Sequence, residues 1–303
     1  MVILLSRKKQ QHIVPRLYLR NFCTAKNNEQ LYFYDKVTKK RALTNINNIA
    51  QERDFYTDIS QEDKYYYENY YSTDIEPLLG KLLSRIIVAA TMSDIKIPIL
   101  NKDDRCLLSK MVTTQMMRTR SARNLMREKV DIVTDKLISQ LLKKPEIEKN
   151  VNLRMTAERH RVLDEDLFKE MTIPVFVDET QLKKYFDILD SMICTFFDNQ
   201  TAEGFITSDN HVVIYRTSTQ EGGLGKAGLR YYDCVIAYPI NPYLTAAFVH
   251  RDSLYGYAFR EYENRKCPID EPEIVHTLNR LHFIQASRQV YSKNPINLSS
   301  LSS

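Results

Sequence analysis

Three clusters of polar residues have the types and spacing to handle a phosphate ester. The first is Gln115 and Arg118, set among Leu108, Met111, Ala122 and Leu125 on a 4-3 alternation that keeps one helical face toward a partner. A guanidinium on such a face is costly unless it is paired and hydrogen-bonded. Either an acid satisfies Arg118, with Glu76 or Glu68 as candidates, or the face opens onto a pocket for an anion. The second cluster is Thr207-Ser208-Asp209-Asn210, between the apolar runs Phe205-Ile206 and Val212–Tyr215. Such a turn can aim hydroxyl, carboxylate and amide at one ligand, or bond its own backbone as an Asx-turn. The third is Gln11-His12, just before Val14-Pro15 and beside basic residues. His12 suits a general acid or base, and equally a capping or packing role.

Should these clusters meet, they form a site for phosphodiester chemistry. His12 would move the proton, Arg118 would stabilise the phosphorane charge, and Asp209 would orient the histidine or hold a divalent metal, with Gln115 completing the catalytic set. Gln11, Thr207, Ser208, Asn210, Glu76 and Arg120 are then expected to contact the substrate. The expected partner is nucleic acid or a phosphorylated ligand, and the expected activity is that of a nuclease. Two other readings fit the same residues: a nucleotide- or phosphate-binding module without turnover, and a stability network with function on another surface. Arg120, Arg123 and Arg127 fall off the stripe and read as a solvated or nucleic-acid-facing surface. The other histidines show no HExxH or HxH spacing. The run Gly222-Gly223-x-Gly225-Lys226 has Gln220 and Ala227 where a phosphate loop needs glycine and a hydroxyl, so it reads as a hairpin loop.

The elements that must position these groups read as α+β. A short helix is expected over 11–22, a hairpin over 31–35 and 41–44, and a strand over 54–57. A long helix over 72–92 has Thr73-x-x-Glu76 at capping-box spacing. A second follows Asn101 and runs to about 144 with room for a break. Helical patterns over 153–170 and 178–197 precede β-rich stretches at 204–217 and 229–251, and a helix over 272–291 closes the chain. The middle is therefore mostly helical, with antiparallel strands near the N-terminus and at about 203–251. A single domain over 1–303 is expected, with a loose tail at 292–303.

Composition sets outer limits. The chain has 303 residues, 43% hydrophobic and 27% charged, which excludes long disordered segments. Only 7 glycines disfavour glycine-rich nucleotide folds, and the odd, widely spaced set of 5 cysteines argues against a disulfide framework or a zinc knuckle. The apolar opening Met1–Leu5 precedes its basic residues, the reverse of a secretory signal, and no run approaches the ~20 apolar residues of a membrane span. A cytoplasmic protein without a membrane partner is expected. The net charge of +5 is uneven: residues 1–41 carry +8 and residues 102–129 carry +5, against −8 elsewhere. One basic segment holds His12 and the other Arg118, so both are expected to face one pocket.

Gln11-His12-x-Val14-Pro15-x-x-Tyr18-Leu19-x-x-Phe22 resembles the opening motif of a bacterial family, domain-of-unknown-function family 4238. Further matches follow in order: Ile49 to Tyr56, Ile75-Glu76, Gln115-x-x-Arg118, Phe205-x-Thr207-Ser208-Asp209-Asn210, Tyr238-Pro239-Ile240-x-Pro242, Leu278-Asn279 and Ala286-Ser287. The similarity spans roughly residues 10–291. It implies one integrated domain over that core, hallmark residues in the three clusters, and no established reaction. The bacterial and partly defence-linked settings of the family imply an antiviral effector role. One departure stands out, since His211 replaces the proline that usually follows the TSDN turn.

Overall fold

The computed structural model of the chain describes residues 10–92, 94–220, 222–225, 228–298 and 301. Arg7, Lys8 and Lys9 of the basic opening, and Lys226 of the glycine-rich loop, lie outside the described residues. The chain is α+β, as its patterning predicts. It opens with strand β1 (Gln10–His12), helix α1 (Arg16–Leu19), the hairpin β2 (Gln30–Asp35) and β3 (Arg41–Asn45), and β4 (Gln51–Arg53). The segment 11–22, expected as one helix, thus begins as a strand. Pro15 favours extended backbone just before it, so α1 starts only after it, while β1 pairs antiparallel with β4, His12 opposite Gln51. The strand expected over 54–57 is also displaced, because Asp54 takes a left-handed backbone (φ 53°) that ends β4 at Arg53.

The helical middle comprises α2 (Tyr66–Tyr70), α3 (Glu76–Met92), α4 (Lys102–Met117), α5 (Arg120–Leu141), α6 (Pro145–Glu148), α7 (Val151–Arg159), α8 (Glu165–Val177) and α9 (Glu179–Ser191). The capping box at Thr73 does not form. Its hydroxyl donates to the Asn69 carbonyl (2.8 Å) instead, and a π-turn over Tyr71–Ile75 runs α2 into α3. Helix α4 is buried almost all round from Leu108 onward, so it is the central helix of the molecule. No helix among the described residues is long and apolar enough to cross a membrane.

The second half brings β5 (Ile193–Asn199), β6 (Thr207–Ser208), β7 (Val213–Arg216), β8 (Cys234–Asn241), β9 (Leu244–Val249), helix α10 (Leu254–Phe259), β10 (Lys266–Ile269), α11 (Pro272–Gln285) and β11 (Gln289–Ser292). Five strands form one sheet in the order β10-β5-β9-β8-β7, with β10 and β5 parallel and the other pairs antiparallel. This sheet is apolar on both faces. Phe196, Ile236, Tyr238 and Phe248 face the main core, while Phe197, Ala237 and Ala247 face Val275 and Leu278 of α11. That two-sided burial explains why β5 reads as the end of a helix: a short continuous apolar run has no period to distinguish the two. A second sheet, β3-β2-β11-β6, joins the N-terminal hairpin to the C-terminal strand. Helix α11 therefore stops at Gln285 rather than 291, and the chain beyond it is not loose where described: Ser292 is in β11, and Ile296, Leu298 and Leu301 pack near Tyr34 and Val290.

Candidate functional site

The apolar stripe that places Gln115 and Arg118 on one face does not run through to Leu125. Helix α4 ends at Arg118 (φ −85°, ψ 12°), and Thr119 turns extended and accepts the Ala122 N–H on its hydroxyl, capping α5. Every one of the three sequence clusters converges on this break.

Arg118 is its centre, with a side chain only 1% exposed. Its Nη2 donates to Glu76 Oε1 (3.1 Å) and to the His12 carbonyl (3.1 Å), and its Nε donates to the Tyr56 hydroxyl (3.2 Å). That hydroxyl in turn donates to the Arg118 carbonyl (3.2 Å), and the Tyr71 ring lies 4.4 Å from the guanidinium carbon. Although burial works against its charge, Tyr56, Glu76 and Tyr71 raise its pKa and keep it a cation. Gln11, fully buried, fixes the strand beside it: its Oε1 accepts the Tyr56 N–H (2.5 Å) and its Nε2 donates to Thr57 Oγ1 (3.2 Å). His12 reaches Arg118 through its backbone; the residue is part-exposed at the edge and its Nε2 is buried.

The TSDN turn closes the other side. Asp209 is 1% exposed, and its two oxygens accept the N–H groups of Ser287 (2.9 Å), Arg288 (2.8 Å) and Gln289 (3.0 Å). Arg120 Nη1 stands 3.6 Å away, and Arg120 Nε donates to Glu52 Oε2 (2.6 Å). Burial pushes the Asp209 carboxyl up, while the three amides and Arg120 pull against it. Ser208 Oγ donates to the Asn210 carbonyl (2.8 Å), and Asn210 Nδ2 donates to the carbonyl of Gln285, the last residue of α11 (3.3 Å). Thr207 Oγ1 is hydrogen-bonded to the Tyr18 hydroxyl (2.7 Å), which also donates to the Pro239 carbonyl (2.7 Å). The turn thus ties the α11–β11 corner to the N-terminal segment. Its carboxylate does not fit a divalent ion: three N–H donors already occupy its lone pairs and a guanidinium faces it. Among the described residues no group of three or more His, Cys, Asp or Glu side chains is placed to hold a metal.

His211, at the position of the missing proline, is fully buried and its Nε2 is hydrogen-bonded to Gln115 Oε1 (3.1 Å). Burial and the charge of Arg118 pull it down to about 3, and burial alone does the same to His282 of α11. Both values lie below the ~6.5 of an exposed histidine. The unfolded chain therefore takes up protons that the folded chain refuses, so stability from the neutral rings is present above ~6.5 and is lost as pH falls toward 3. Both ring nitrogens of His282 are buried without a hydrogen bond. His282→Leu is accordingly expected to raise the urea midpoint at pH 4.5 and to flatten its fall between pH 7 and 4.5, by about 1–3 kcal/mol. An unchanged pH slope would remove His282 from this account.

The structure thus brings His12, Gln115, Arg118, Asp209, Gln11, Glu76, Arg120 and the rest of the turn together, but as interlocking partners. The cavity beside Arg118, walled by Tyr56, Tyr71, Arg123 and Thr172, measures about 20 Å³, room for roughly one water. The cations expected to make an electropositive surface are matched by acids: Arg123 by Glu165, Arg127 by Asp131 (3.6 Å) and Lys110 by Glu179 (2.6 Å). Lys36, from the first basic segment, donates to the carbonyls of Phe283 (2.9 Å) and Ala286 (2.9 Å) at the end of α11. Arg105, which the sequence reading passes over, is another such group: it is buried and donates to the Leu189 (2.7 Å) and Met192 (2.9 Å) carbonyls where α9 ends. Its signal was the same as that of Arg118, a basic residue on a helix that is otherwise core.

No curated protein and no solved structure matches the chain. A family model does, over residues 10–295, the span that contains β1, the α4–α5 break, the TSDN turn and the α11–β11 corner. The chain belongs to the family described as proteins of unknown function, DUF4238.

Proposed function

We propose that the family-defining polar residues are an internal lock and that the chain acts through an outer surface which this lock holds in place. One observation carries this reading. Arg118 gives the hydrogen bonds of Nε and Nη2 to Glu76, His12 and Tyr56 inside a wall of tyrosines, its Nη1 is buried without a hydrogen bond, and the space beside it holds one water and no phosphate. A network of this kind sets backbone positions; it does not meet a substrate.

A second reading, a nucleic-acid phosphodiesterase in bacterial defence, is favoured by His12 alone. The residue is part-exposed, although its Nε2 is buried, while Gln11, Gln115, Arg118 and Asp209 are buried. Incubation of the full chain with RNA, single-stranded DNA and duplex DNA, beside His12→Ala, separates the two. The lock reading expects any cleavage by the wild type to persist in His12→Ala. Cleavage by the wild type that is lost in a His12→Ala protein of unchanged thermal midpoint would establish the phosphodiesterase and overturn the lock as the cluster's whole role.

A further inference from the structure

A cleft of about 530 Å³ opens between α11 and the edge strand β7, within the ~300–1,000 Å³ of small-molecule sites. One wall is a face of α11 carrying His276, Thr277, Arg280, Leu281 and Ile284; the other is Tyr215 with Gln220.

Both walls are fixed. β7 is the last strand of its sheet, and the Gln285 carboxamide caps its open edge as a neighbouring strand would, accepting the Ile214 N–H (3.2 Å) and donating to the Ile214 carbonyl (2.9 Å). Gly222 packs so closely against this amide that an added Cβ would lie 2.7 Å from Gln285 Nε2. On the helix, Glu203 Oε2 holds His276 Nε2 at 2.5 Å, and Asn279 Nδ2 donates to the other Glu203 oxygen (3.3 Å). The imidazole is therefore oriented from behind. Its Nδ1 lies 3.9 Å from Glu273 Oε2, on a carboxylate 86% exposed and able to move away. Arg280 follows one turn later, exposed, and no acid among the described residues lies within ion-pair distance of it.

The cleft thus has a cation, a hydroxyl, a positioned imidazole and the exposed carboxylate of Glu273 along one helical face, beside a tyrosine ring and two aliphatic side chains, Leu281 and the 57% exposed Ile284. We propose that it binds a mononucleotide, the phosphate against Arg280, Thr277 and His276 and the base against Tyr215, Leu281 and Ile284. This rests on the reading that the chain acts through a surface other than the buried cluster.

Titration calorimetry of the full chain with AMP, GMP, CMP and UMP, and with adenosine and inorganic phosphate, tests it. At least one nucleotide is expected to bind, its nucleoside and inorganic phosphate each about tenfold or more weaker. Arg280→Ala, on an exposed site, is expected to keep its thermal midpoint and weaken the nucleotide by about tenfold or more, and Glu203→Gln to weaken it by releasing His276. Binding of none of the four nucleotides, or equal affinity in Arg280→Ala, would overturn the proposal. The lock would stand or fall separately, since it is read from the stability of Arg118 variants.

Discussion

Arg118→Ala is expected to lower the unfolding free energy by about 3–5 kcal/mol, the usual result of removing one partner from a buried ion pair. The change leaves the Tyr56 hydroxyl and the His12 carbonyl without their donor and leaves Glu76 without its cation. It also opens a gap between the Tyr56 and Tyr71 rings, 5.6 and 4.4 Å from the guanidinium carbon. Against a total of about 5–15 kcal/mol for a typical domain, this is a large fraction. Arg118→Lys is not expected to rescue it, because one ammonium cannot reach the hydroxyl and the carboxylate in the planar fork geometry. Glu76→Gln should cost less, since its side chain is 22% exposed and water can replace part of the pairing. Urea unfolding of the wild type and the three variants decides the matter. An Arg118→Ala loss under about 1 kcal/mol would mean that the buried network contributes little and that the cluster needs another explanation.

The same residues show how much of the site a sequence can reveal. Gln115 and Arg118 are visible because their types violate an apolar stripe, and the need for a counter-charge narrows the partner to Glu76 or Glu68; the fold then selects Glu76. The fold class is equally legible, since helical and two-residue periods alternate in long blocks. What stays hidden is set by contacts between distant segments. The α4–α5 break depends on Thr119 turning extended, and its only sequence signal is a threonine in an N-cap position. The hydrophobic period continues across it, so the stripe looks unbroken. In the sequence His211 shows only as a histidine in place of a proline after the turn; burial beneath Tyr18 and Tyr238, with ring centroids 5.2 and 6.1 Å away, makes it a neutral core residue. His276 and Glu203 are 73 positions apart, and only the packing of α11 on the five-stranded sheet brings them to hydrogen-bonding distance.

Asp209→Asn is expected to cost about 3 kcal/mol or more, with the effect concentrated at the α11–β11 corner. The carboxylate accepts three successive backbone N–H groups at 2.8–3.0 Å, and each charge-assisted bond of this kind is worth roughly 1.5–3 kcal/mol. An amide of the same shape offers one oxygen and turns its own N–H₂ toward donors, so at least one buried N–H loses its acceptor. The consequences spread because of what the corner holds. β11 is the strand between β2 and β6, and Arg288, whose N–H binds Asp209, also donates through Nε to Asp35 at the end of β2 (2.6 Å). Releasing Ser287 to Gln289 therefore loosens the junction between the N-terminal hairpin and the C-terminal strand, while α4 and its partners remain packed. Hydrogen exchange should show the amides of 287–292 and 31–35 opening faster in Asp209→Asn, with those of 108–117 unchanged. A cost below about 1 kcal/mol at pH 7 would mean that the carboxyl is already protonated in the folded chain, since only a neutral acid is replaced by asparagine at so small a loss.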